Sequence, residues 1–583
     1  MSWEYWLPKS RMGTVACFTA MQTPGEAGSI RFVSPQTTDA IAVRILYDSH
    51  PGHPTAAVPR AFAVASHLAL AAILLTLFFR WERERLHVVF GCDPAGYLRL
   101  TQLISDRGFL GTAGSEPEVP SILAAVKQRP PEAQIDNPGS FLVPLSFFAD
   151  EQGRVHSQYP PGFPLILSLL YRQGGEPAVY YAQPIFLLAG ILLSYLLLWR
   201  FFHPLTALPG TAVVAASNWY FAESTLLMAD HAAACLALAS LLFGLLALRS
   251  TAVWSWVWAA GCGATAGFGV LVRYQSALLT LPLLVLAFAA WRRHGLRWLL
   301  SRGVVTAALV ALTGAVPLAL YQHSLSGSYL QPTYGDADLS LRNISARHVA
   351  EGLQFYAGVF DRRLGFWIVP LALGILGMAV VRQTRLLLAV WLAAFLAVAG
   401  FHVCVGRTYE RYLLMLVPLF AWPAGMALGL FFDALGFWSR QARVAMALAI
   451  LLPTGYFAAR VEHLDCGISN PVPQADYRIL ADLVPHNAVV LCYFESGAVP
   501  IYAHRRTARL WGYPAAMTKA AIDYWADRGT PVYCLLDSPQ SRMHFEELQR
   551  NFGRLFEPVE ASFRKWQLYR LVGVEPEGKP RAE

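Results

Sequence analysis

The stretch AFAVASHLALAAILLTLFF, residues 61–79, contains no acidic residue, no lysine and no arginine. A helix of this length crosses the ~30 Å hydrocarbon core of a bilayer, because an α-helix rises about 1.5 Å per residue. The stretch therefore predicts a transmembrane helix. Similar apolar runs recur along the chain, and their number and spacing decide the fold.

The apolar runs predict eleven membrane spans. The run over 254–291 is too long for one crossing, so we predict a hairpin that turns at Arg273. The runs do not alternate polar and apolar residues, which excludes a transmembrane β-barrel. The predicted spans are residues 61–79, 180–199, 204–222, 231–248, 254–272, 276–291, 303–321, 365–381, 386–404, 412–432 and 443–459.

The composition also indicates a polytopic membrane protein. Of the 583 residues, 55% are hydrophobic and 14% are charged, and the mean hydropathy is +0.40. A soluble domain carries about 25% charged residues. The net charge of +8 does not indicate nucleic-acid binding, because the arginines lie in short links between the apolar runs and not on one basic face. The eight cysteines show no spacing typical of a zinc site.

The distribution of arginine predicts the orientation in the membrane, because cytoplasmic links carry an excess of Lys and Arg. With the N-terminus in the cytoplasm, five inner links hold ten arginines and a single acid, Asp433. We therefore predict a multi-pass protein of a bacterial inner or plasma membrane, with the C-terminal part outside. The ten arginines are Arg200, Arg249, Arg292, Arg293, Arg297, Arg302, Arg382, Arg385, Arg440 and Arg443.

The sequence divides into three parts. Residues 1–60 have a mixed polar composition without an apolar signal-peptide core, which predicts a disordered cytoplasmic tail or a segment upstream of the true start. Residues 61–460 form the predicted membrane domain, with long outer loops over 81–178 and 323–364. Residues 461–583 alternate strand-like and helix-like segments, which predicts a small α/β domain outside the membrane.

Two cysteines lie at like positions in predicted strands of that domain, AVVLCYF (488–494) and PVYCLLD (531–537). Cys492 and Cys534 could form a disulfide in an oxidising compartment, or they could be two buried free thiols. The sequence leaves both alternatives open.

Acidic residues at the predicted outer ends of the helices are candidates for catalysis. Asp93 follows the first span in GCDPAGYLRL (91–100), and Asp230 opens the fourth in MADHAAA, with Glu223 before it and His231 after it. A single acid at the membrane boundary fits a solvated loop residue equally well, since a charge there is not costly. Carboxylates that converge at one end of the bundle could act as a base or bind a divalent cation, for which Asp93 and Asp230 are the candidate ligands.

Three arginines near the same end are candidates for phosphate binding. Arg273 interrupts the apolar stretch VLVRYQSALL, and Arg407 and Arg411 lie in GRTYERYLLMLVP. A planar guanidinium can hold phosphate through two parallel hydrogen bonds. The competing interpretation is that these side chains snorkel to the interface, or that Arg407 pairs with Glu410.

Several of these stretches together resemble the GT-C type membrane glycosyltransferases, the group that contains the aminoarabinose transferases and the protein O-mannosyltransferases. Asp93 opens the first outer loop and the stretch YPPGFPL (159–165) closes it. Asp230 opens the fourth helix, Arg273 stands at the fifth-to-sixth turn, and RYLL (411–414) opens a later helix. The order of these short motifs, on one side of the membrane, extends the resemblance over roughly 85–430.

The resemblance implies a mainly α, GT-C-like helix bundle that acts as an inverting glycosyltransferase. The donor would be a polyprenyl-phosphate sugar, and the acceptor a lipid, a glycan or a protein at the outer face of the membrane. Asp93 would be the general base or a metal-linked orienter of the acceptor, and Asp230 would support it or share a divalent ion.

The resemblance also implies where the substrates bind. The aminoarabinose transferases place a basic residue beside the proline pair, whereas this chain has Gln158 and Tyr159 there. The donor phosphate would then be bound by arginines elsewhere, namely Arg273, Arg407 and Arg411. The substrate cavity would be lined by Tyr97, Tyr159, Glu223 and His231.

The leading alternative class is a polytopic transporter or lipid flippase without glycosyl transfer. Such a protein would show internal repeats and ionisable residues near the middle of its spans, but the sequence shows no repeat and the candidate site charges lie at the predicted outer ends. Further alternatives are a membrane acyltransferase that uses His402, and a bundle that only anchors a partner-binding α/β domain.

Overall fold

The computed structural model describes residues 60–85, 89, 91–109, 114–116, 118–127, 141–150, 152–202, 204–250, 252–329, 344–364, 368–405, 409–434, 474–510, 515–552 and 554–574. The predicted tail up to residue 59, the predicted span 443–459 and Arg407 lie outside the described residues.

Within the described residues, eight helical segments are long and apolar enough to cross a membrane. They coincide with eight of the predicted spans, so the prediction of a polytopic helix bundle is confirmed. The predicted span 204–222 is divided between Pro204–Ala215 and Asn218–Ala222. The eight segments are Val64–Glu84, Ala182–Phe201, Asp230–Arg249, Val253–Val272, Tyr274–His294, Leu296–Leu325, Arg382–Cys404 and Glu410–Phe431.

The helices up to residue 434 are α1 (Arg60–Glu84), α2 (Cys92–Arg107), α3 (Val119–Lys127), α4 (Gly162–Val179), α5 (Ala182–Phe201), α6 (Pro204–Ala215), α7 (Asn218–Ala222), α8 (Asp230–Arg249), α9 (Ala252–Val272), α10 (Thr280–His294), α11 (Leu296–Val310), α12 (Val316–Ser326), α13 (Ala346–Leu364), α14 (Ile368–Val380), α15 (Arg385–Phe395), α16 (Phe401–Cys404) and α17 (Ala421–Ala434). Two short 3₁₀ stretches matter for the site, Tyr274–Leu279 between α9 and α10, and Glu410–Phe420 before α17.

The membrane segments differ in how much of their apolar surface the protein itself covers. Glu410–Phe431 is central, with 83% of an 18-residue apolar stretch buried, whereas only 6% of the corresponding stretch in Leu296–Leu325 is buried. Leu300, Val304 and Leu312 of this outer segment are more than half exposed. Such a face would be unfavourable in water, and we expect it to contact lipid chains.

The first long loop returns to the bundle through the YPPG stretch. After the proline pair, α4 begins at Gly162. A Cβ atom on this residue would lie 2.6 Å from the backbone nitrogen of Val272, which ends α9. Only glycine therefore permits α4 to start against the turn that carries Arg273. This contact joins two of the motifs on which the predicted resemblance rests.

The residues after 473 form the predicted small α/β domain, which is confirmed as part of the fold class. Its elements are α18 (Gln474–Leu483), β4 (Val489–Cys492), α19 (Ala498–Tyr502), β5 (Arg506–Arg509), α20 (Ala515–Ala526), β6 (Val532–Leu536), α21 (Pro539–Phe552), β7 (Arg554–Val559) and β8 (Gln567–Val574). The five strands form one sheet in the order β5-β4-β6-β8-β7, with β4 parallel to β5 and β6, and β8 antiparallel to β6 and β7. The preceding strands, β1 (Gly114–Ser115), β2 (Phe147–Ala149) and β3 (Arg154–Ser157), form a separate small sheet in the first loop.

The two cysteines of the domain are free thiols, which decides between the two alternatives left by the sequence. Leu491 stands opposite Cys534 in the parallel pair of β4 and β6. Cys492, one residue further, therefore points to the other face of the sheet, because side chains alternate along a strand.

One hydrophobic core joins the first loop to the C-terminal sheet. Each large apolar side chain buried there contributes about 1.5–3 kcal/mol relative to its exposed state, so separating the two parts would be strongly unfavourable. The predicted domain boundaries stay a prediction. From the first loop the core includes Val119, Ile122, Leu123, Phe141 and Leu142, and from the C-terminal part Val489, Leu491, Met517, Trp525 and Phe545.

Candidate active site

Asp93 lies in the first turn of α2, directly after the membrane segment and its short link. The positive end of the helix dipole favours a carboxylate at this position. One oxygen of Asp93 accepts a hydrogen bond from the Tyr159 hydroxyl. The other forms an ion pair with Arg411, whose Nη1 lies 2.5 Å from Oδ2. Three of the predicted site residues are thus in direct contact.

The surroundings of Asp93 keep its carboxyl group ionised. Burial alone would raise the pKa of Asp93, but the charge of Arg411 and the hydrogen bond from Tyr159 outweigh it, and the pKa lies below its ordinary value. A carboxylate in this state is a weaker base, and its basicity rises when either of these two partners weakens its hold.

Tyr159 is held in place from two directions. Its hydroxyl lies 3.3 Å from the Ser146 hydroxyl, which itself donates to the backbone oxygen of Cys92. Its ring packs against that of Tyr97, with 4.4 Å between the ring centroids. Tyr97 is buried by this contact and by an edge contact with Phe163, so the structure places it beneath Tyr159.

A second carboxylate–arginine pair lies beside the first. Asp230 is the first residue of α8, is 1% exposed, and forms an ion pair with Arg273. Arg273 caps the 3₁₀ turn between α9 and α10, and its Nε donates to the Gln275 side chain at 2.8 Å. The Tyr412 ring lies under both arginines, 5.6 Å from Arg273 and 5.8 Å from Arg411. We call the end of the bundle that carries these two pairs the site end.

Arg411 has further capacity for a ligand. Its Nη1 contacts the Met228 sulfur at 4.0 Å, which brings it close to the start of α8. Its Nε is buried and makes no hydrogen bond within the described part of the chain. An arginine with one N–H group on a carboxylate and another unused fits a site that receives an oxyanion.

Glu223 is the third carboxyl group at the site end. It is half-buried in the turn before α8, and its carboxyl group makes no hydrogen bond or ion pair with the described residues. Burial and the negative charge of Asp230 raise its pKa to about 7, against the opposing charge of Arg411. Glu223 can therefore exchange a proton near neutral pH.

The remaining predicted site residues lie as follows. His231 is buried, and its Nε2 lies 2.7 Å from the backbone oxygen of Tyr220, so its ring packs inside the bundle. Glu410, considered above as a partner of Arg407, pairs with Arg362 at 2.9 Å and Arg363 at 2.5 Å on α13, and its pairing with Arg407 stays a prediction. Arg407 and its role in phosphate binding stay a prediction.

A divalent ion at Asp93 and Asp230 also stays a prediction. Within the residues that the structure describes, no group of three or more His, Cys, Asp or Glu side chains is arranged to hold a metal. Each of the two carboxylates faces a guanidinium, and a cation would have to displace these arginines.

Sequence reasoning missed two contributors to the site. Ser146 lies in a loop without a motif, and Glu495, in the C-terminal domain, accepts a hydrogen bond from the backbone nitrogen of Gly91 at 3.3 Å. A polar residue 404 positions away in the chain carries no signal in a single sequence.

Part of the chain matches a known protein family. Residues 158–321 match the model of the dolichyl-phosphate-mannose-protein mannosyltransferase family, a range that includes Tyr159, Asp230 and Arg273. A search of the curated proteins found no match.

Solved structures share the fold. ArnT from Cupriavidus metallidurans in the apo state has a TM-score of 0.53 at 15% identity, over 88% of this chain and 98% of that chain. The same protein bound to undecaprenyl phosphate has a TM-score of 0.51 at 15% identity, over 89% and 100%. The oligosaccharyltransferase of Archaeoglobus fulgidus, tethered by a disulfide to an acceptor peptide containing the NVT sequon, has a TM-score of 0.52 at 14% identity, over 89% and 74%. The predicted resemblance to the GT-C type polytopic membrane glycosyltransferases is confirmed, and the chain has their fold.

Proposed function

We propose that this protein is a membrane glycosyltransferase that transfers a sugar from a polyprenyl-phosphate-linked donor to a lipid, glycan or protein acceptor. The observation that carries the proposal is the contact of Asp93 with Arg411 and Tyr159 at the site end. It joins a candidate base to a candidate phosphate ligand. The fold shared with a protein solved with undecaprenyl phosphate, and with another solved with an acceptor peptide, supports a polyprenyl carrier and a separate acceptor.

In the proposed reaction Asp93 acts as the general base. It accepts the proton of the acceptor hydroxyl, whose oxygen attacks the anomeric carbon on the face opposite the phosphate. The bond between that carbon and the phosphate oxygen breaks, and its electron pair leaves with the polyprenyl phosphate. Attack from the opposite face inverts the configuration at the anomeric carbon.

The arginines stabilise the leaving group in this proposal. The phosphate gains negative charge as the sugar departs, and a fixed cation at that point lowers the barrier. Arg411 is the first candidate because its Nε is unused and its Nη1 already faces the base. Arg273 and the predicted ligand Arg407 would complete the phosphate site. As the phosphate attracts Arg411, the hold of this arginine on Asp93 weakens, and Asp93 becomes a better base when the donor is bound.

We also propose that the site end faces away from the cytoplasm, because the arginine-rich links belong to the opposite end by the positive-inside rule. A polyprenyl chain would then lie in the outer leaflet with its sugar at the level of Asp93.

The test is transfer from synthetic polyprenyl-phosphate sugars by the purified protein in lipid nanodiscs. Asp93→Asn removes the base without changing its size, and we expect transfer to fall by roughly 10²–10⁴. The matched control is Asp106→Asn, an exposed acid on the same helix, which should leave transfer unchanged. Equal transfer by Asp93→Asn and the parent would remove Asp93 from the mechanism. Repeating the assay with a chelator tests the predicted divalent ion.

The donor is identified by comparing the lipids of cells with and without the protein. Loss of a transferase should cause its polyprenyl-phosphate sugar to accumulate and the glycosylated acceptor to disappear. Unchanged levels of both would contradict a transferase and favour the transporter or flippase alternative.

A further inference from the structure

The start of α2 is in contact with a turn of the C-terminal domain. The turn has the sequence YFESG (493–497) and follows strand β4. The Gly91 nitrogen donates to Glu495 at 3.3 Å, and the Val89 nitrogen donates to the Tyr502 hydroxyl at 3.0 Å. Gly91 lies two residues before Asp93, so these bonds fix the backbone from which the candidate base extends.

The turn also packs closely against α2. A Cβ atom on Gly497 would lie 2.8 Å from the Cβ of Ala95, and 3.5 Å from the backbone oxygen of Cys92. Both Ala95 and Gly497 are buried in the contact. The first turn of α2 therefore has no room to shift toward the C-terminal domain.

A second connection reaches the site through Tyr159. Arg509 of β5 donates hydrogen bonds to the backbone oxygens of Val143, Pro144, Leu145 and Phe147. This segment carries Ser146, which contacts Tyr159. The Leu145 nitrogen donates to the Ser496 hydroxyl at 3.1 Å. The C-terminal domain thus holds both Asp93 and the segment that supports the tyrosine bonded to it.

Hydrogen bonds within the C-terminal domain hold the turn itself. Asp537, at the end of β6, accepts hydrogen bonds from the backbone nitrogens of Tyr493 at 3.1 Å and Glu495 at 2.7 Å. Tyr477 donates its hydroxyl to the same Glu495 oxygen that receives Gly91, at 2.6 Å. Burial raises the pKa of Glu495 to about 7, with Asp537 adding to the rise and the two hydrogen bonds opposing it. A glutamine at position 495 is neutral and has nearly the same shape, and its side-chain oxygen can accept both hydrogen bonds.

We propose that the C-terminal domain is part of the catalytic apparatus, in which the turn 493–497 fixes the first turn of α2 and so the position of the Asp93 carboxylate. Glu495 and Gly497 are positioning residues that act through α2 and do not touch the substrates. The inference rests on the proposed transferase function and adds to it a role for a domain that lies outside the membrane bundle.

Point variants test this better than deletion, because removing the domain would expose the core that it shares with the first loop. Glu495→Ala removes the hydrogen-bond acceptor of the Gly91 nitrogen, whereas Glu495→Gln retains an acceptor. Gly497→Ala places a Cβ atom that clashes with Ala95. The matched control is His544→Ala, which removes a buried side chain bonded to Thr518 at 3.2 Å elsewhere in the same domain. Each variant is measured in nanodiscs for melting temperature, kcat, KM for the donor, and hydrogen exchange over residues 91–98.

We expect Glu495→Ala and Gly497→Ala to lower kcat by roughly 10- to 100-fold with little change in KM, because the base is displaced while the donor site remains. The acid limb of the pH–rate profile should move to higher pH in both, since Asp93 loses part of its contact with Arg411 and Tyr159. Exchange over 91–98 should rise. Glu495→Gln should restore kcat, and His544→Ala should lower only the melting temperature.

Unchanged kcat in Glu495→Ala and Gly497→Ala would overturn the proposal, as would an equal loss of kcat in His544→Ala. If the parent transfers no sugar at all, the transferase function fails, while exchange over 91–98 still reports whether the turn holds α2. Unchanged exchange in both variants would overturn the positioning role whatever the activity.

Discussion

The ion pair between Arg411 and Asp93 makes a prediction in which charge and geometry can be separated. Arg411→Gln removes the guanidinium charge but keeps a polar side chain near the base. The variant leaves Asp93 with its burial, which raises the pKa, and without the charge that lowers it. The carboxylate should therefore take up a proton at higher pH than in the parent, and the acid limb of kcat/KM should move upward.

The loss of rate follows from the geometry. Arg411 Nη1 lies 2.5 Å from Asp93 Oδ2, and the two side chains are only 29% and 18% exposed. A charge-assisted hydrogen bond in such a place contributes about 1.5–3 kcal/mol. Because each 1.36 kcal/mol is a factor of ten, kcat/KM should fall roughly 10- to 150-fold.

Arg411→Lys separates the two roles of this residue. Lysine keeps the charge, so the acid limb of the kcat/KM profile should stay near that of the parent. Lysine lacks the planar guanidinium, so transfer should fall by roughly tenfold. We expect this loss to exceed that of Arg407→Lys, because Arg411 contacts the base. The control is Arg362→Gln, which removes a 61% exposed partner of Glu410 and should change the rate less than about twofold.

The assay is initial-rate transfer in nanodiscs across a range of pH, with melting measured in parallel. A parent-like rate and pH profile in Arg411→Gln would show that this arginine sets neither the ionisation of Asp93 nor the binding of the donor. A parent-like Arg411→Lys beside an inactive Arg407→Lys would move the phosphate site to Arg407.

Two further predictions concern stability and topology. The pKa of Glu223 is raised from 4.5 to about 7, so the protonated carboxyl favours the folded state and stability falls as the pH rises through this interval. Glu223→Gln should therefore be more stable than the parent at alkaline pH, by roughly 1 kcal/mol after screening, and equally stable below pH 4.5. A difference in melting that persists in acid would refute this origin. Reporters fused after residue 583 or inserted near residue 130 should be active outside the cytoplasm, and a cytoplasmic signal from either would reverse the proposed orientation.

The helix bundle could be predicted from the sequence because its signal is local. A run such as 61–79 has only one stable solution in a bilayer, since its backbone must satisfy its hydrogen bonds internally. The break in the predicted span 204–222 is harder to predict, because hydropathy does not show that the helix stops at Ala215 and restarts at Asn218. The strands containing Cys492 and Cys534 were found from their apolar runs, but their register, which puts the two thiols on opposite faces, depends on pairing between distant segments.

The candidate site was predictable in its residues but not in its pairings. Asp93, Asp230, Arg273 and Arg411 were named from their types and their common end of the bundle. Nothing local shows that Arg411 pairs with Asp93 and Arg273 with Asp230. These pairs form between residues on different helices, so they follow from the packing. The role of Glu495 is harder still to predict, because it depends on the docking of two segments about four hundred residues apart.

The two ion pairs differ in how deeply they are buried, and this difference separates their roles in the proposed mechanism. In the pair of Arg273 and Asp230 the side chains are 13% and 1% exposed, against 29% and 18% for Arg411 and Asp93. Breaking a buried pair by removing one partner costs about 3–5 kcal/mol, because a charge is left without compensation. The more buried pair therefore joins the start of α8 to the end of α9. The pair of Arg411 and Asp93 separates at lower cost, and in the proposed mechanism it does so when the donor phosphate replaces the carboxylate beside Arg411. In that mechanism the more exposed pair releases the base when an anionic donor binds, while the more buried pair keeps the helix ends in place.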